Sequence, residues 1–233
     1  VPERSQSAAD NGGSNRFIRA AKSAFYDYGT WPLLLGATAF RASEYDSKLT
    51  EFAMERKPLF SDNENAARST DLLRSFDDAL AMGTALAVNE SWSDKSKRIV
   101  TESAALFVTR FRTTQMNARV SREYPDGSGD DAFGSHHAAS PFAAAALTRR
   151  NIDSIEMPGW ASTGINVSSY AAATASAWGR IEMGLHYPSD QLVSAAVGNF
   201  VAIFFHDAFL SDDLMLDFTL LPEGSYLALR IPF

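Results

Sequence analysis

Two residues, Gly184 and Pro188, constrain this chain more than any others, because no α-helix continues through the stretch between them. Glycine enters a left-handed helix cap without steric cost. Proline cannot occupy a helix interior but suits a first turn, and it pushes the preceding Tyr187 towards an extended conformation. Upstream, Ser168–Met183 is alanine-rich and opens on a good capping residue, which predicts a helix. Downstream, a second helix is predicted from Pro188 through Leu192 and Val197 to about Phe205. Around this break stand Arg180, His186 and Asp190: a cation, an imidazole and a carboxylate. Asp190 falls in the first turn of the second helix. From there its carboxylate is expected to reach back to a ring nitrogen of His186, fix the tautomer and stabilise the imidazolium, as nucleophilic or general-base chemistry requires. The same residues also read as a helix-flanking histidine beside a dipole-favoured aspartate.

The rest of the chain is mostly helical by pattern. Residues 1–15 are polar and rich in Ser, Asn and Gly, a flexible lead-in to a single domain spanning 16–233. Helical segments are predicted over Arg16–Tyr28, from Trp31, over Ala66–Val88 and over Ile99–Met116. In the third of these, Leu72, Leu73, Phe76, Leu80 and Leu86 recur near helical spacing and predict a core-facing stripe. Ser91–Lys97 reads as a charged turn, and Ile152–Gly164 as irregular around Pro158-Gly159. Phe218–Leu221 and Ser225–Ile231 read as two short strands around a turn. A chain of 233 residues can bury one substantial core. Its net charge of −7 argues against a nucleic-acid partner, which needs a basic face. With no cysteine there is no thiolate chemistry, and no run approaches the roughly 18 apolar residues of a membrane span.

A second constellation lies upstream. The turn-forming loop Asp126–Asp131 leads through Phe133-Gly134-Ser135-His136-His137 into an alanine-rich run interrupted by Pro141. That proline is tolerable only if the helix starts about four residues earlier, near His137. The backbone N–H groups of Ser135 to His137 are then expected to point outward at a positive helix end, an anion site with a hydroxyl and two imidazoles beside it. Adjacent histidines project in different directions, and no i,i+4 His/carboxylate pattern supports a metal. His206, followed by Asp207, lies at the far end of its helix and reads as structural.

These two stretches resemble the type 2 phosphatidic acid phosphatase (PAP2) family, whose helical fold is shared with vanadium haloperoxidases and bacterial class A acid phosphatases. The family's third motif is Ser-Arg, five residues, His, three residues, Asp. It is matched by Arg180, His186 and Asp190, with Gly179 in place of the serine. Its second motif, Pro-Ser-Gly-His, is matched by Ser135 and His137, with His136 in place of glycine. Its first motif, Lys, six residues, Arg-Pro, can be set in two registers. In one, Asn117 replaces the lysine and Tyr124 the arginine, while Pro125 and the neighbouring Arg122 remain. In the other, Arg112 and Arg119 keep both cations and Val120 replaces the proline. The first continues in similarity through Pro125–Ser128 and is preferred.

The resemblance covers roughly residues 60–210. It implies an all-α, haloperoxidase-like helical bundle, to which the two strands read in the tail would add a short C-terminal β-hairpin, and a periplasmic or secreted location. It further implies that His186 attacks phosphorus, Asp190 holds it and His137 protonates the leaving group. Arg180, Ser135 and the backbone near His136 would bind phosphate, with Arg122 or Arg119 as a supplementary cation and Asn117 and Tyr124 at the cation positions. No cofactor or metal is expected, because arginines and helix-end amides take a cation's place. The implied substrate is a small-molecule or lipid phosphate, with peripheral membrane contact open. Two other readings remain: another group transfer, such as acyl transfer, in the same histidine-rich pocket, or a non-catalytic scaffold. Vanadate haloperoxidase chemistry needs a cation-rich cradle, and this pocket looks short of cations.

Overall fold

The structure is a computed structural model. It describes residues 3–210, 215–221 and 224–230, with side chains over 15–210. In chain order the described elements are α1 (Glu3–Tyr26), α2 (Trp31–Arg41), α3 (Tyr45–Arg56), α4 (Asn63–Ala87), α5 (Trp92–Asn117), α6 (His136–Ile152), α7 (Gly159–Glu182), α8 (Pro188–Phe209), β1 (Met215–Leu221) and β2 (Gly224–Arg230). The strands pair antiparallel, with Leu221 opposite Gly224. The bundle with its short terminal hairpin is therefore the expected architecture. Helix α1 reaches back to Glu3, across the stretch read as a lead-in. Its first buried side chain among the described ones is Arg16, followed by Ala20 and Ala24.

Helices α6 and α8 form the axis. Nearly every residue of α6 from His137 to Thr148 is buried, the signature of a helix surrounded by others. Its neighbours are α4, α5, α7 and α8, while α8 also packs on α1 and α2. The central residues are small: Ala81, Ala105, Ala143, Ala144, Ala146 and Ala202 surround Leu147 and Ile203. Small side chains let backbones approach closely. A Cβ on Gly198 of α8 would lie 2.0 Å from the Ala139 carbonyl oxygen of α6. Helix α8 is also the one helix among the described residues long and apolar enough to cross a membrane, and half of that window is buried in the bundle.

The small-residue rule overturns the expected stripe on α4. Leu72, Phe76 and Leu86 are exposed, and the buried face is Ala66, Thr70, Asp77, Ala81, Thr84 and Ala85. Contact with α6 and α7 selects for short side chains there, so the bulky ones turn outward. Two boundaries also shift. Ser91 accepts from the Asp94 N–H at 3.2 Å, so the predicted charged turn is the first turn of α5. Helix α7 begins at Gly159, well upstream of Ser168, whose hydroxyl donates to the Gly164 carbonyl inside the helix at 2.8 Å.

Candidate active site

The break that organises the sequence closes as a Schellman motif. Gly184 has φ +74, its N–H donates to the Ile181 carbonyl, and the Leu185 N–H donates to the Arg180 carbonyl. Tyr187 is extended, as the proline after it requires, and α8 starts at Pro188. His186 is thus held between a closed cap and a helix start, and is 6% exposed. The glycine-bearing loop comes to the same place, because the Asp126 N–H donates to the Gly184 carbonyl at 3.1 Å.

The imidazole of His186 is oriented by the loop and not by Asp190. Its Nδ1 lies 2.7 Å from the Ala132 carbonyl oxygen. A carbonyl only accepts, so Nδ1 carries the proton and Nε2 keeps its lone pair. Burial, with Arg180, His136 and Arg122 adding to it against the Ala132 hydrogen bond, pushes the ring's pKa down to about 4. The neutral tautomer with a free Nε2 is therefore the resting form at neutral pH.

Asp190 departs from the expectation. One carboxylate oxygen accepts from the Tyr187 N–H at 3.0 Å, and the other pairs with the Arg122 guanidinium. As the third residue of α8 it reaches back to the N–H of its own helix's cap residue. Burial raises its pKa to about 6 against the Tyr187 and Arg122 contacts. Arg122 is also paired with Asp46 at 2.8 Å and Ser189 Oγ at 2.9 Å, and lies 3.9 Å over the Tyr187 ring. Its guanidinium is a strut joining α3, the loop and α8, which corrects its expected role as a supplementary phosphate cation. Asp190→Asn should then act mainly on stability. We expect a loss of about 2 kcal/mol, because Arg122 keeps Asp46 as a partner, in place of the roughly 3–5 for a fully broken buried pair. Urea unfolding checks this; an unchanged midpoint would remove the strut.

The second motif is brought to the first by α6. Ser135 is its N-cap and His136 its first residue. The Ser135 N–H donates to Ser194 Oγ at 2.8 Å, and that hydroxyl donates to the Asp190 carbonyl at 2.7 Å. One of the three amides expected to point outward is therefore used to clip α6 to α8, leaving those of His136 and His137. Pro141 lacks the N–H that would bond the His137 carbonyl. Ser176 Oγ of α7 donates to that carbonyl instead, at 2.9 Å. His137 is 6% exposed, its ring centroid 4.3 Å from that of His136. Burial first, then Arg180, His136, Arg74 and His186, push its pKa down to about 2.

Arg180 is the charge common to the site. It acts on His136, His137, His186 and Tyr124. It makes no ion pair among the described residues; its Nε is buried without a partner, and NH1 has only the Met183 sulfur at 3.8 Å. Ser135 Oγ and His137 Nδ1 are likewise buried with no partner. Tyr124 stands edge-on to His186 with centroids 6.3 Å apart. Asn117 packs against Gly134, where a Cβ would meet its Oδ1 at 2.3 Å. Arg112, Arg119 and Val120 are exposed. Of the two registers, one thus has its Tyr124 beside the His186 ring and the other has both of its arginines at the surface. His206 lies away from it, between Arg98 at 3.2 Å and Asp207 at 3.2 Å. Among the described residues no cluster of three or more His, Cys, Asp or Glu side chains could hold a metal ion.

Sequence reasoning missed Asp71 and Arg74 on α4. Asp71 lies 3.9 Å from His137 Nε2 and 3.5 Å from Arg74. Their i,i+3 spacing on a predicted helix was visible, but which way that helix faced was not.

The start of α6, the last turn of α7 and the break before α8 thus carry Ser135 and His137, Arg180, and His186 in turn. The chain belongs to the PAP2 superfamily, whose family model matches residues 78–211, more than half of its length. No curated protein and no solved structure matches it.

Proposed function

We propose that this protein transfers phosphoryl groups from a phosphomonoester or a lipid phosphate through a phosphohistidine at His186. The observation that carries the reading is Arg180, a half-buried guanidinium that makes no ion pair among the described residues, in a site where Ser135 Oγ and His137 Nδ1 are also buried without partners. Polar groups buried without partners are costly unless a ligand satisfies them. A tetrahedral oxyanion offers acceptors for all of these donors and for the open amides of His136 and His137. Acyl transfer would leave this cationic cradle without a purpose.

The reaction then runs in two displacements. His186 Nε2 attacks phosphorus while the Ala132 carbonyl stabilises the growing charge at Nδ1–H. The bond from phosphorus to the leaving oxygen breaks, and that oxygen takes a proton from His137. His137 is neutral in the empty cradle. A bound phosphate dianion opposes the cations that depress its pKa and lets it carry the proton. Water then attacks phosphorus, giving a proton to His137, while the bond from phosphorus to Nε2 breaks and returns its electron pair to the ring, releasing phosphate and neutral His186.

An alkaline quench after mixing with an aryl phosphate, followed by peptide mass spectrometry, tests the reading. We expect a phosphate adduct on the peptide bearing His186. Failure to trap it, together with no detectable orthovanadate binding, would overturn the assignment.

A further inference from the structure

The family match begins at residue 78, so the first half of α4, with Asp71 and Arg74, lies outside it. Yet this segment enters the site. The Asp71 carboxylate is 3.9 Å from His137 Nε2 and 3.5 Å from the Arg74 guanidinium, so the arginine and the imidazole bracket one carboxylate. The Arg74 side chain is 27% exposed, and its Nε is buried without a partner. Its ion pair among the described residues is the long i,i+3 contact to Asp71, whose own side chain is 61% exposed and free to swing into solvent. Apart from Arg180, the nearby arginines are engaged: Arg110 pairs with Asp78 at 2.6 Å, and Arg122 with Asp46 and Asp190. At the positions where the resemblance expects cations, Asn117 and Tyr124 stand instead.

We propose that Arg74 binds the phosphoryl oxygens alongside Arg180, so that α4 supplies the charge the 117–125 segment lacks, and that Asp71 occupies this subsite until an anion displaces it. The inference rests on the phosphoryl-transfer reading and deepens it. The guanidinium of Arg74 suits this role, being a planar fork that meets two oxygens at once. Its weak existing pairing leaves little to break when an anion arrives. Asp71 is a built-in competitor, since its negative charge must leave before another enters.

Orthovanadate and orthophosphate titrations by calorimetry at fixed ionic strength decide the matter. Arg74→Gln should weaken binding by about tenfold or more, the loss expected for a charge-assisted hydrogen bond. Arg74→Lys should recover part of it, and Asp71→Asn should tighten it severalfold. The thermal midpoint of Arg74→Gln should stay near that of the wild type, because a long, half-exposed pair contributes little to folding. With an aryl phosphate, the Gln variant should raise KM and lower kcat. Wild-type binding that Arg74→Gln leaves unchanged would overturn this inference alone and leave the reading beneath it standing. A wild type that binds neither anion would overturn both.

Discussion

His186→Asn should fold like the wild type and lose turnover by at least about four orders of magnitude. The substitution separates the two nitrogens of the ring. Asparagine's Nδ2 can sit near the place of Nδ1 and donate to the Ala132 carbonyl, which is otherwise left buried and unpaired at a cost of about 1–3 kcal/mol. Nothing replaces Nε2, so no covalent intermediate forms, and only binding and electrostatic contributions remain. The acid behaviour of the wild type adds a check. The ring's pKa of about 4 lies below its ordinary 6.5. The unfolded chain therefore binds this proton first on acidification. Stability from His186 is intact above about pH 6.5 and is lost as pH falls towards about 4. At pH 6 nitrogen NMR should read a neutral ring protonated at Nδ1. A ring charged at that pH, or a His186→Asn variant with ordinary turnover, is incompatible with the mechanism.

Gly198→Ala should be the most destabilising methyl that can be added at a helical glycine among the residues with described side chains. Its Cβ would stand 2.0 Å from the Ala139 carbonyl oxygen, with that residue's carbonyl carbon and Cα at 2.8 and 3.0 Å. The obstacle is backbone, so no side chain can turn away, and α6 and α8 must separate. Overpacking of this kind costs about 3 kcal/mol or more, a fall of roughly 6–12 °C in thermal midpoint for a chain of this size. Activity should fall further than stability alone dictates, since Ala139 lies one turn from the histidines of α6. Gly83→Ala is the control. A Cβ there meets nothing within 4 Å on α4, and the change should stabilise by about 0.5–1 kcal/mol through helix propensity. Equal midpoints for the two variants would mean that α6 and α8 do not cross closely.

Local chemistry made part of this legible in advance. Gly184 and Pro188 dictate a cap and a helix start whatever surrounds them, and Pro141 dictates where α6 begins. These are steric facts carried by single residues. Facing was harder to read, because hydrophobic periodicity assumes that large apolar side chains seek the core. Here the tightest interfaces are built from Ala, Ser, Thr and Gly, which carry weak hydrophobic signals, so α4 presented its Leu and Phe residues as a false inner face. Partner choice was hidden for another reason. Asp190 could serve the ring four residues back or a guanidinium far away in sequence. Only the position of Arg122, fixed by Asp46 and Ser189, decides between them. Asp71 and Arg74 lay beyond reach for the same cause.

The Schellman cap has a consequence for how the site comes apart. Because the Leu185 N–H closes on the Arg180 carbonyl, the cation stands in one short hydrogen-bonded ring and the histidine is the residue that directly follows it. Their spacing is a local property of a few consecutive residues. The spacing from that ring to Ser135, His137 and Arg74 depends instead on how three separate helices dock. Warming or mild denaturant will loosen docking before it opens so short a ring. The molecule thus contains a durable half and a conditional half: a pocket that still attracts anions can persist after the groups needed to complete the reaction have drifted out of reach.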